Sequence, residues 1–196
     1  MKIMSVSIFL FLSLLQIVEL VQSGSIANIS TCDVGSLTTA ERNELEICAG
    51  GLIYEGECIK AASVFGLTIP FHEAEVICGY SLAEIESKEM FERVYEYLFN
   101  TWNKGPMSVA TVKYVTFWLG NTVDVNEESN PQHLVSLSNG TQVEMDEYWY
   151  TGYPAMIDGF TNLGLLVQRP EVEYGGGFIN YFPQMRFGVP LCARKL

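Results

Sequence analysis

Hydrophobic positions recur at helical spacing in two stretches of the chain and give way to strand-like runs afterwards. Phe91, Val94, Tyr95 and Leu98 fall on one helical face, Ser87 stands where a cap belongs, and Glu89 lies in the first turn, predicting a helix that ends near Asn100. A shorter helix is predicted over 71–79: Phe71, Ala74 and Cys78 share a face, and Pro70 suits the first turn. Glu73 and Glu75 favour the positive end of its dipole, and Gly79 stops it. Upstream, residues 48–58 form two short runs around glycine turns, a pattern that suits a small hairpin closed by a local disulfide. Beyond the helices, residues 112–119 are β-branched and aromatic, and Gly120-Asn121 and Asn139-Gly140 punctuate. Short strands are predicted over 134–137, 142–145, 163–167 and 187–191, separated by Gly, Pro and Asp stretches too irregular for helices. The predicted class is α+β.

The first residues read differently. Lys2 precedes an apolar run from Ile3 to Val18, and Val21-Gln22-Ser23 offers a cleavage site before Gly24, so residues 1–23 read as a signal peptide. The rival reading is an uncleaved anchor, but the run is shorter than the roughly 20 residues needed to span hydrocarbon, and Glu19 follows it. Residues 24–47 are rich in Ser, Thr, Asn and Glu and suit a flexible or weakly helical lead-in; residues 48–196 hold the domain. The expected location is therefore extracellular.

Composition narrows the function. With 11 Lys+Arg against 23 Asp+Glu, the net charge of -12 repels phosphate backbones and anionic lipid, so neither nucleic acid nor membrane insertion is expected of the mature chain. At 48% hydrophobic residues the chain can bury a core. An oxidising compartment turns Cys32, Cys48, Cys58, Cys78 and Cys192 into a disulfide framework, with one thiol left over. The sequons at Asn28 and Asn139 predict that both asparagines face solvent and can carry N-glycans.

Residues 74–87, Ala-Glu-Val-Ile-Cys-Gly-Tyr-Ser-Leu-Ala-Glu-Ile-Glu-Ser, followed by Phe91, resemble the first-helix signature of C-type lectin-like domains. Phe117-Trp118-Leu119-Gly120 resembles that family's Trp-Ile-Gly-Leu core strand. Asn139-Gly140-Thr141 with the segment Tyr148 to Pro154 is similar to its turn, Trp and Gly-x-Pro run, and Val189 to Lys195 resembles its last strand. The four motifs occur in register across residues 48–196. The resemblance implies a C-type lectin-like fold, two helices packed on short antiparallel sheets with a long loop region. It also implies a Cys78–Cys192 bridge and a Cys48–Cys58 bridge in the N-terminal hairpin. Cys32 is then left over, either as an interchain disulfide joining a homodimer or as a capped or free thiol.

The departures from the pattern bear on function. Sugar-binding members place oxygen-bearing side chains on both sides of a cis-proline and complete a calcium site with a Trp-Asn-Asp run. The aligned residues here are Tyr153-Pro154-Ala155 and Phe178-Ile179-Asn180, and calcium wants six to eight oxygens. The primary calcium site is therefore expected to be lost, and no cofactor is expected. The inner disulfide is missing too, so the long loop is held by packing. Asp124, Asn126 and Glu128 alternate like calcium-loop ligands, but Ser129 replaces the required Gly and Val135 the closing Glu; a solvated acidic loop is the favoured reading, and an auxiliary calcium ion on Glu127 or Glu128 the sharper one. His72-Glu73 starts a zincin-like pair that Val76 fails to complete, and His133 stands apart, so no nucleophile, acid and base assemble and no enzyme is expected. Gly175-Gly176-Gly177 reads as a flexible turn rather than a phosphate cradle. Trp149 is expected in the core. Tyr153, Pro154, Phe160, Tyr174, Asn180 and Tyr181 are the candidate ligand-binding residues of the long-loop region, the alternative for each ring being that it packs the loop. The expected function is recognition of a carbohydrate through this face without a calcium bridge; the alternative is recognition of a cell-surface or extracellular protein on the same fold.

Overall fold

The computed structural model describes residues 38–62, 68–104, 113–126, 134–169 and 175–196. The signal-peptide reading, Asn28, Cys32, Glu127, Glu128, His133 and Tyr174 lie outside these residues. Residues Arg42–Leu196 form one compact unit. No helix among the described residues is long and apolar enough to cross a membrane.

Among the described residues there are three α-helices: α1 Thr39–Ile47, α2 Phe71–Ile77 and α3 Lys88–Lys104. The lead-in thus ends in an ordered helix, whose Leu45 and Ile47 are exposed. Helix α3 starts as its sequence directs: the Met90 N–H donates to Ser87 Oγ at 3.1 Å, which satisfies one of the donors a helix start leaves open, and the Phe91 N–H makes the first helical bond, to the Ser87 carbonyl at 3.0 Å. It runs a turn past Asn100 because Trp102 continues the apolar stripe of Phe91, Val94 and Leu98, all buried. Burying each of those side chains stabilises by about 1.5–3 kcal/mol.

Eight strands lie among the described residues: β1 Leu52–Tyr54, β2 Glu57–Ala61, β3 Tyr114–Val123, β4 Val135–Ser136, β5 Gln142–Val143, β6 Asn162–Gln168, β7 Gly177–Tyr181 and β8 Val189–Lys195. The order along the sheet is β1-β2-β8-β3-β4-β5, with β6 also on β3 and β7 on β6. All pairings are antiparallel except β3 with β8, where Phe117 faces Val189 and Trp118 faces Pro190. The two-residue period of β3 sorts its side chains onto two cores. Phe117 and Leu119 join α3, Ile59, Leu165 and Leu191 in the larger core; Trp118 points the other way, onto Ile69, Phe71, Ala74 and Leu82. The Trp118 indole N–H donates to the Ile69 carbonyl at 2.7 Å, so burying this ring leaves no polar atom unpaired.

Strand β7 was not expected from the sequence, and its first residues explain why. A Cβ on Gly176 would overlap the Leu166 carbonyl oxygen and the Tyr95 ring, and one on Gly177 would lie 2.7 Å from the Tyr148 carbonyl oxygen. The triple glycine is therefore not only a turn: it lets β7 pass close to α3 and to the segment before Trp149. Trp149 packs at 5.8 Å against Phe178 but is half-buried rather than fully in the core. Disulfides join Cys48 to Cys58 and Cys78 to Cys192, the two pairings implied by the family resemblance. The second ties α2 to β8 across 114 residues, a closure worth about 4–5 kcal/mol in the chain-entropy model.

Candidate functional site: the long-loop face

The long loop runs from Trp149 to Asn162, between the 3-10 turn at Asp146–Tyr148 and β6. Its scaffold is an aromatic stack that starts in the core. Phe71 meets Trp118 edge-on at 5.6 Å, Trp118 meets Phe187 at 5.8 Å, and Phe187 stacks on Tyr181 at 3.9 Å. The other face of Tyr181 stacks on Phe160 at 5.4 Å, and Phe160 meets Phe182 at 4.3 Å. The chain of rings carries rigidity from a buried tryptophan to the loop surface, where an offset or edge contact is worth about 0.5–1.5 kcal/mol beyond the area it buries.

Asn180 fixes the loop backbone to this scaffold. It sits on β7 and is fully buried. Its side-chain oxygen accepts from the Ala155 N–H at 2.7 Å, and its amide nitrogen donates to the carbonyls of Ala155 at 3.0 Å and Phe160 at 2.7 Å. One side chain thereby closes both arms of the 155–160 bend, where turn bonds from Ile157 N–H to Ala155 O and from Phe160 N–H to Ile157 O complete the backbone pairing. Gly159, at φ 83°, lies against Phe182: a Cβ there would come within 2.6 Å of the ring.

Tyr153 precedes a cis peptide bond to Pro154, and its hydroxyl donates to the Tyr181 hydroxyl oxygen at 3.1 Å. Desolvation, then this hydrogen bond and the neighbouring phenol's charge, push the Tyr153 hydroxyl well above the ordinary tyrosine range. Beside it, Gln168 Nε2 donates to the Tyr150 hydroxyl at 3.0 Å.

Four of the candidate residues are thus brought together: Tyr153, Phe160, Asn180 and Tyr181 share one cluster, with Pro154 between Tyr153 and the clamped Ala155. Asn180 needs restating. With no exposed surface and its amide committed to loop backbone, it shapes the face rather than touching a ligand. Asn139 is exposed, and its side-chain oxygen accepts from the Thr141 N–H at 2.8 Å within the predicted turn.

The donor set does not suit calcium. The Asn180 oxygen is taken by a backbone N–H, Ala155 offers a methyl group, Ile179 is buried apolar, and the Tyr153 hydroxyl is committed to Tyr181. Among the described residues no three His, Cys, Asp or Glu side chains converge on a point that could hold a metal ion.

Sequence reasoning missed what lies at the surface of this cluster. Met156, Ile157, Phe182 and Met185 are exposed large apolar side chains. They belong to two adjoining turns, 155–160 and 182–185, that meet where Phe182 touches Phe160 and Gly159. Only the aromatic count hinted at them, because hydrophobicity in a sequence does not report exposure.

No protein-family model matches the sequence, and no curated protein matches it. Solved structures do. The C-type lectin domain of murine dendritic cell inhibitory receptor 2, solved in complex with an N-glycan, superposes with a TM-score of 0.50 at 13% identity over 76% of this chain and 98% of that one. Herring type II antifreeze protein gives 0.49 at 16% identity over 76% and 98%, and the mouse scavenger receptor C-type lectin carbohydrate-recognition domain gives 0.47 at 14% over 75% and 94%. The fold of this chain is that of a C-type lectin-like domain.

Proposed function

We propose that the chain is a secreted, non-enzymatic recognition protein whose long-loop face binds a protein partner without a bridging calcium ion. The observation that carries this is the surface of the clamped loop: Met156, Ile157, Phe182 and Met185 are exposed on turns fixed by Asn180 and the aromatic stack. A pre-shaped apolar patch with an aromatic anchor is what protein interfaces use, since affinity there comes from a few desolvated side chains on a rigid support. Sugar recognition asks instead for several converging polar groups, and here the Asn180 amide and the Tyr153 hydroxyl are already spent.

Glycan recognition is the second reading, favoured by the half-buried ring of Tyr153 beside Tyr150 and Tyr181, a set that can stack on a sugar. The solved complex of the murine receptor domain with an N-glycan is consistent with it. The test compares labelled protein on a glycan array, with calcium and with a chelator, and on cells treated with protease or with glycosidases. The protein reading expects no array signal and cell binding that protease removes, that chelation and glycosidases spare, and that Phe182→Ser abolishes. Array binding that survives chelation supports the glycan reading, and binding lost on chelation overturns both.

A further inference from the structure

Away from the long loop, the C-terminal end of α2 and the β2–β8 ladder enclose an open trough that the proposed function does not use. It consists of a cavity of about 670 Å³ bordered by Phe71, Ile77, Tyr80 and the Cys78–Cys192 bridge, and an adjoining one of about 360 Å³ bordered by Tyr54 and Met90. The two share Glu57, Glu86 and Lys195, so they form one trough of mixed polar and apolar lining, with Ile77 and Tyr80 toward one end, Tyr54 and Met90 toward the other, and charge between.

The charge is unbalanced. Glu55, Glu57, Glu75, Glu84 and Glu86 line the trough against Arg194 and Lys195. Glu84 is committed, its two oxygens accepting from the Ser138 N–H at 2.6 Å and the Ser138 hydroxyl at 3.0 Å. Glu57, Glu75 and Glu86 have no cation within ion-pair distance among the described residues, although Glu57 stands directly opposite Lys195 in the ladder. The apolar side chains that border the trough beside them are open: Ile77 is 48% and Tyr80 77% exposed.

We propose that this trough binds a basic segment of a partner protein, an extended stretch whose Lys or Arg side chains meet Glu57, Glu75 and Glu86 and whose apolar residue packs on Ile77 and Tyr80. Charge complementarity selects this occupant. A second copy of this chain is disfavoured, because each carries 23 acidic against 11 basic residues, and an anionic lipid surface is repelled for the same reason. The apolar rim supplies what charge alone does not, since exposed carboxylates paired across water contribute little without a desolvated anchor.

The test uses the full secreted chain and three fluorescent octapeptides, alternating Lys-Leu, Lys-Gly and Glu-Leu, read by polarisation, with amide shifts mapped by NMR. The Lys-Leu peptide is expected to bind, Lys-Gly at least tenfold more weakly, and Glu-Leu not at all. Affinity should fall at least tenfold in Glu57→Lys/Glu75→Lys/Glu86→Lys and severalfold in Tyr80→Gly, a change its positive φ of 63° tolerates. The reversal Glu46→Lys/Glu89→Lys/Glu96→Lys, equal in charge at exposed positions outside the trough, should weaken binding by less than threefold, and Phe182→Ser should leave it unchanged. Equal losses in the two triple variants would reduce the effect to net charge and overturn the proposal. So would binding that the trough variant leaves intact, shifts confined to residues 153–162, or no binding of Lys-Leu.

Discussion

Replacing Asn180 with alanine removes three hydrogen bonds at one buried position and leaves the Ala155 N–H and the Phe160 carbonyl without their partner, while the Ala155 carbonyl keeps the Ile157 N–H. A buried polar group stripped of its partner costs about 1–3 kcal/mol. Ala155 and Phe160 are only half-buried, so water reaches part of the vacated space and the lower end applies: about 1 kcal/mol for each of the two groups, or about 2 kcal/mol in all. If the loop opens on its own, native-state hydrogen exchange at the Ala155 amide should quicken by about thirtyfold, at about 1.4 kcal/mol per factor of ten, while amides of β3 and β6 keep their protection. If the loop melts with the body, the midpoint of thermal unfolding should drop by about 4–8 °C for a domain of this size. Asn180→Asp separates geometry from hydrogen bonding: the carboxylate still accepts from the Ala155 N–H but faces two carbonyls. Its folded pKa is thereby raised above the unfolded aspartate value near 4, so this variant's deficit should be least below that value and grow as pH rises through the folded pKa. An Asn180→Ala protein whose Ala155 amide exchanges within threefold of wild type, with an unmoved melting midpoint, would refute the clamp.

Other consequences are as direct. Tyr153 titrates above the ordinary tyrosine range, so its contribution to stability is complete below the unfolded tyrosine pKa near 10 and is lost as pH rises beyond it; Tyr153→Phe should flatten that alkaline loss in denaturation followed by circular dichroism, and an unchanged alkaline limb would contradict the burial and hydrogen bond assigned to it. Removing the long-range bridge as Cys78→Ala/Cys192→Ala should cost about 4–5 kcal/mol in urea unfolding, whereas opening the ten-residue Cys48–Cys58 link should cost less; the reverse order would remove loop closure as the explanation. Gly176→Ala, which drives a methyl group into the Leu166 carbonyl and the Tyr95 ring, should destabilise by more than about 2 kcal/mol, and a neutral result would show that β7 can shift away from α3. If Cys32 links chains, non-reducing electrophoresis should show a dimer that Cys32→Ser converts to monomer, and a disulfide-linked dimer surviving that change would assign the link elsewhere.

Much of the fold was legible because its determinants are local. The α3 stripe of Phe91, Val94 and Leu98 and the Ser87 cap are written in consecutive residues, and the structure places helix and cap there. The β-branched and aromatic run near Phe117 and Trp118 likewise reports a strand buried on both faces. Strand β7 was hidden because its glycines answer to remote neighbours, Tyr95 and Leu166, and a local reading of Gly175-Gly176-Gly177 sees only flexibility. The strands near Val135 and Gln142 came out shorter than expected, two residues each, because a pattern of polarity marks where a strand can form and not where its partner ends.

The closeness of Tyr153, Phe160, Asn180 and Tyr181 was legible in the sequence but the part each plays in the loop was not, and Asn180 shows why. By type and position it reads as a ligand-binding residue, an amide next to a loop of aromatic rings. Its actual partners are backbone groups 20 and 25 residues away, set by the register that brings β7 alongside β6 and beneath the loop. Three backbone groups, two of which would otherwise need water, are met by one planar amide whose donors and acceptor already have the required spread. The same commitment removes Asn180 from any ligand and frees the loop surface to be apolar, because the polar demands of the bend are met from below. Met156, Ile157 and Phe182 can then face solvent on a fixed backbone without the bend collapsing over them. A buried amide beneath and an exposed hydrophobic turn above are therefore one device: breaking the amide should disorder the patch and its binding together, while trimming the patch should abolish binding and leave the bend intact.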